Sequence, residues 1–145
     1  MTDLKLLALD SEDLEVLSAH LQDAVLKVGD IHWRADEKRV VLAVNRFVWE
    51  SAGEKSCRLF ERRRAALRFD RVVRVRATGI PRDRPDTVLE LLALRFTETE
   101  APSGVVEAIF AGGGVLRIEV ECLEAGLADL GAAWATESCP RHEGA

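Results

Sequence analysis

Gly104-Val-Val-Glu-Ala-Ile-Phe110-Ala-Gly112-Gly113-Gly114-Val-Leu-Arg-Ile-Glu-Val120-Glu-Cys122, continued by Leu123-Glu-Ala-Gly-Leu127-Ala-Asp-Leu130-Gly131-Ala-Ala-Trp134, is the stretch on which the fold turns. Two apolar runs meet at Ala111-Gly112-Gly113-Gly114, where glycine supplies the positive φ values that a tight hairpin requires. In the second arm Leu116, Ile118, Val120 and Cys122 alternate with Val115, Arg117, Glu119 and Glu121, the period of two of a strand with one apolar face. The period then changes. Leu123, Leu127, Leu130 and Trp134 are spaced i, i+4, i+7 and i+11, which predicts an amphipathic helix whose first part ends at Gly131. The whole stretch predicts a hairpin running into a closing helix.

Working back towards the N-terminus, Val88 to Phe96 is the most apolar strand. Val88, Leu92, Leu94 and Phe96 are expected to face the core, leaving Leu89, Leu91 and Ala93 to meet a helix or a second subunit. Gly79 to Asp86 is a proline-bounded turn. Ile31 to Glu50 reads as two strands joined at Ala35-Asp36-Glu37-Lys38, and Ser51 to Ser56 as a loop. Leu4 to Leu9 is a short strand. After it Asp10 or Ser11 caps a helix carrying Leu14, Leu17 and Leu21, expected to end near Ala24. The resulting expectation is an α+β fold: an antiparallel, barrel-like sheet of about seven strands, an N-terminal helix and a C-terminal capping helix. In topology it is similar to the pleckstrin-homology-like barrel.

The chain has 145 residues and a net charge of −5, which fits one domain over residues 1–136 followed by a frayed tail over 137–145. No apolar run has the roughly 18–20 residues of a membrane span, and residues 1–5 lack the features of a secretory signal, so a cytoplasmic location is expected. Cys57, Cys122 and Cys139 are odd in number and show no C-x-x-C spacing, which argues against a disulfide framework and a zinc site. Cys122 is expected in the core.

Charge is distributed unevenly. Residues 58–76 carry eight arginines and two acids, a local charge of +6, leaving −11 for the remainder. Planar guanidinium groups bind phosphates and carboxylates in pairs of parallel hydrogen bonds. Arg62, Arg63, Arg64 and Arg68 are therefore candidate contacts for an anion or partner, with Arg46 and Trp49 as neighbours and nearby aromatics as stacking surface. The competing reading pairs these arginines with the molecule's own acids, those of the first helix (Glu12, Asp13, Glu15 and Asp23) and those of the closing helix (Glu121, Glu124 and Asp129). His20 with Asp23 is an i, i+3 pair better explained as a solvated or capping couple than as an acid–base pair. The three glycines precede a strand, whereas phosphate-cradling loops open onto a helix N-terminus.

Several segments together resemble a known family: Leu9-Asp10-x-Glu12-Asp13-Leu14, Ser18-Ala-His20-Leu-Gln22-Asp23-Ala24, Asn45-Arg46-Phe47-x-Trp49-Glu50, Arg62-Arg63-Arg64-Ala65-Ala66-Leu67, Phe110-Ala-Gly-Gly-Gly114 and Ala128-Asp129-Leu130-Gly131-x-x-Trp134. They are similar to the bacterial family catalogued as domain of unknown function 2948. That resemblance implies a bacterial cytoplasmic setting and carries no site residues. The functional expectation is a non-catalytic binding or adaptor module without cofactor or metal, engaging a protein partner or a second copy. Anion or nucleic-acid binding through the arginine-rich strand is the alternative, and an enzyme the third reading.

Overall fold

The computed structural model describes residues 5–47, 60–130 and 134–136, with side chains from residue 62 onward in the second segment and the backbone alone in the third. The strands are β1 (Lys5–Ala8), β2 (Val25–Lys27), β3 (Ile31–Arg34), β4 (Arg39–Phe47), β5 (Phe60–Phe69), β6 (Val72–Thr78), β7 (Val88–Glu98), β8 (Gly104–Phe110), β9 (Val115–Val120), β10 (Ala125–Asp129) and β11 (Trp134–Thr136), with one α-helix, α1 (Ser11–His20), among the described residues. They form one antiparallel sheet in the order β1-β10-β5-β4-β2-β7-β8-β9-β6, with β11 pairing with β5 and β3 with β4.

The sheet curls but does not close. Only Asp70 and Arg71 separate β5, near one end of the strand order, from β6, which ends it. Arg71 takes a left-handed backbone with φ 62° to make that turn. The last strand thereby returns to the beginning of β4. The Val72 N–H donates to the Lys38 carbonyl (3.0 Å), and Lys38 Nζ reaches the Glu121 carboxylate at 3.0 Å. No ladder joins β6 to β3 or β4 among the described residues.

The central hairpin forms as its glycines dictate. Gly112 (φ 88°) and Gly113 (φ 97°) occupy the left-handed region, and the Phe110 N–H donates to the Gly114 carbonyl at 2.8 Å. The expected closing helix does not form, and with it the α+β barrel plugged by a C-terminal helix is overturned. Residues 125–129 are a strand with Ala125, Leu127 and Asp129 buried on one face, paired on one side with β1 and on the other with β5. Leu127 sits opposite both Leu6 and Leu67. Two complete ladders satisfy this backbone, and the small Gly126 and Ala128 between the buried positions allow close strand contact, so tertiary pairing overrides the helical spacing.

Helix α1 is capped by Asp10, whose side chain accepts from the Asp13 N–H at 2.8 Å. It stops at His20 rather than near Ala24. Asp23, at φ 63°, turns the chain onto β7, where the Asp23 N–H donates to the Leu91 carbonyl and the Leu91 N–H to the Ala24 carbonyl. A second correction concerns β7 itself. Its ladder to β8 shifts register between Leu91 and Ala93, and the Leu94 N–H donates instead to the Ser18 hydroxyl of α1 at 3.0 Å. Such a bulge inverts which residues face inward. Leu89, Leu91 and Leu94 are buried, whereas Val88 and Leu92 are 61% and 45% exposed. Leu89 and Leu91, expected opposite the core against a helix or a second subunit, are therefore core, whereas Leu94 and Phe96 beyond the bulge face the core as expected. Cys122, expected in the core, lies beyond the end of β9 and is half-buried.

Candidate functional site

Alternation along β4 and β5 splits the predicted arginine set between the two faces of the sheet. Arg46 and Arg63 are cross-strand partners and share the inner face with Val44 and Ala65. Both are buried, at 1% and 4% exposure. Asp129 of β10 reaches the same place, its side chain wholly buried. Arg46 Nε lies 2.9 Å from Asp129 Oδ1 and Arg46 Nη2 lies 3.0 Å from Oδ2, a two-pronged ion pair. Arg63 Nη1 is 3.8 Å from Oδ2. Two like charges set directly opposite in a ladder repel each other; here one carboxylate stands against both.

Arg62, Arg64 and Arg68 project from the opposite face. The Arg62 guanidinium lies 3.8 Å above the Phe47 ring centre, and burial lowers its pKa from the usual arginine value. Arg64 donates to its cross-strand partner Asn45 at 3.2 Å and lies 3.6 Å from the Asp30 carboxylate. Arg68 and Arg39 each donate to a separate oxygen of Asp70 at 2.7 Å. Partial burial pushes the Asp70 carboxyl up, but the hydrogen bonds and charges of Arg39 and Arg68 outweigh it and hold the group below its ordinary value. Arg71 and Arg74 lie within 4 Å of Glu124 and Glu119. The structure thus brings Arg46 and Arg63 together at Asp129, separates them from Arg62, Arg64 and Arg68, and gives each an internal contact. Trp49 lies outside the described residues.

A cavity opens at a different place in the sheet. Where β6 returns beside β3, the seam is joined at one end by Val72 and Lys38 and bounded at the other by residues 79–87. That loop is pinned beneath the sheet by the Gly29 N–H to Pro85 carbonyl and Val28 N–H to Thr87 carbonyl bonds, both 2.9 Å. Between these ends opens a cavity of about 290 Å³. Ile31 and Trp33 of β3 line it on one side, Val75 and Ala77 of β6 on the other, with Val28 and Leu116 beneath and Ile80, Arg82 and Pro85 from the loop. Trp33 remains 39% exposed. Among the described residues Arg82 makes no ion pair.

Alternation of Ile31 and Trp33 marks β3 in the sequence, but nothing local marks its adjacency to β6, because the two strands share no ladder and the curl of the sheet alone brings them together. One local signal pointed this way: Ile31 and Trp33 present an apolar face on a short strand next to a charged turn. Among the described residues no group of three or more His, Cys, Asp and Glu side chains is arranged to hold a metal ion. No helix among them is long and apolar enough to cross a membrane.

No curated protein and no solved structure matches this chain. The sequence pattern of one family matches residues 4–142, nearly its whole length, and the chain accordingly belongs to the family described as Protein of unknown function (DUF2948).

Proposed function

We propose that the chain is a non-catalytic binding module of the bacterial cytoplasm and that it engages a protein partner at the open seam between β3 and β6. The observation that carries this reading is the pair of incompletely bonded strands flanking an apolar cavity. Among the described residues β3 pairs only with β4 and β6 only with β9, and the cavity of about 290 Å³ lies between them. Unpaired strand edges are templates for an added strand, one recurring way in which an extended segment of one protein is gripped by another. The volume lies just below the range for ligand pockets, roughly 300–1,000 Å³, and suits one or two inserted side chains better than a whole cofactor. The alternative of anion or nucleic-acid binding along β5 rests on Arg62, Arg64 and Arg68, because Arg46 and Arg63 face the core.

A photo-reactive amino acid placed at position 33, with position 16 on the exposed face of α1 as control, tests this reading in growing cells. A protein adduct formed from position 33 and not from position 16 is the expected outcome. Adducts equal from both positions, or none from position 33, contradict it.

A further inference from the structure

The seam also carries chemical information about what enters it. We infer, building on the reading of the seam as a partner site, that its occupant is an extended acidic segment that adds to the free edge of β6 and lodges one large apolar side chain in the cavity.

Three observations support this. First, apart from the Val72 N–H, no backbone hydrogen bond ties β6 to anything across the seam among the described residues. Residues 73–78 therefore keep one row of donors and acceptors for an added strand. Second, the flanking strands are cationic. β6 carries Arg74 and Arg76 and β3 carries Arg34, and neither strand contains a carboxylate, although Arg34 and Arg74 lie 3.8 and 3.9 Å from Glu37 and Glu119 on neighbouring elements. Arg76 makes no ion pair among the described residues, and Arg82 lines the cavity. Asp83 and Asp86 balance Arg82 and Arg84 in number within their loop, but neither lines the cavity. Third, the apolar lining from Val75, Ala77 and Leu116 is continuous with the core and approached past Trp33.

Charge decides between possible strands. A second copy of β6 laid antiparallel on the first sets arginine against arginine, an arrangement that like-charge repulsion disfavours. A strand with glutamate or aspartate at alternate positions sets carboxylate against guanidinium, and its intervening side chains face the cavity.

The test uses three fluorescein-labelled heptapeptides read by anisotropy against the full chain. One alternates glutamate with valine around a central phenylalanine; the second has lysine for each glutamate; the third has glycine for the phenylalanine. The expected result is saturable binding of the first, at least tenfold weaker binding of the other two, and at least a tenfold loss for the Arg76→Glu/Arg82→Glu double variant with its thermal unfolding unchanged. Equal binding of the lysine peptide, or binding indifferent to the double variant, overturns the acidic chemistry while leaving the seam as the binding place. Failure of all three peptides to bind at millimolar concentration overturns the inference, and the cross-linking experiment at position 33 then decides separately whether the seam binds a partner.

Discussion

Arginine occupies two unlike environments in this molecule. At the β4–β5–β10 end of the sheet, Arg46 and Arg63 are buried on either side of Asp129, on the same face as the aliphatic core. At the seam, Arg76 and Arg82 stand exposed beside an apolar cavity, without an ion pair among the described residues. The residue type is the same and the consequences are opposite. A guanidinium taken out of water is costly unless its partners accompany it, so the buried group ties three strands together in one arrangement. An exposed guanidinium loses little hydration and remains available to a ligand. Charge density along the chain, highest at residues 58–76, marks neither difference; strand parity and pairing register make it.

The comparison can be broken at several points. The largest effect is expected from Asp129→Ala, which leaves Arg46 and Arg63 buried without the carboxylate between them. By analogy with broken buried ion pairs the loss is about 3–5 kcal/mol, measured by urea unfolding. A loss below about 1 kcal/mol would place the pair with ordinary surface contacts.

Asp70 tests the intermediate case, an acid shared by two half-exposed arginines. The folded protein holds this carboxyl below the ordinary value of 3.8, so its contribution is complete above that pH and is lost as pH falls through the lower folded value. Asp70→Asn is expected to lower stability at neutral pH and to flatten its decline below about pH 4, followed by thermal unfolding across pH. An unchanged acid limb contradicts the assignment.

A smaller effect is expected at Arg62, where only the stacking over Phe47 and its packing are removed. Arg62→Ala is expected to cost about 0.5–1 kcal/mol, read by denaturant titration. The smallest belongs to the seam: Arg76→Glu/Arg82→Glu is expected to change stability by no more than about 0.5 kcal/mol. A larger destabilisation would make those two arginines part of the fold.

How far the fold was legible follows from where its information resides. The hairpin of β8 and β9 was readable because glycines at the turn and alternation in the arms are both local. The capped start of α1 was readable for the same reason, from Asp10 and the acids after it. Residues 123–130 were not, since Leu123, Leu127 and Leu130 satisfy a helical period and only the two ladders from β1 and β5 make the segment a strand. The first half of β7, Val88 to Leu92, was misread because one bulged residue, invisible in the pattern, sets it in opposite parity to Leu94 and Phe96, which face the core as expected. Of the candidate sites, the arginines were visible as a composition and their internal partners Asp129 and Glu124 were among the acids named in advance. The seam was not legible, because it is created by curvature between two strands that never pair.

Backbone amide shifts, recorded by NMR while the glutamate–phenylalanine peptide is titrated into the full chain, test the central claim most directly. Changes confined to residues 31–34, 73–78 and 80–82 are the expected result and establish the seam as the binding place. Changes centred on residues 62–68 with the seam unmoved would contradict it and return the function to the arginine-rich strand.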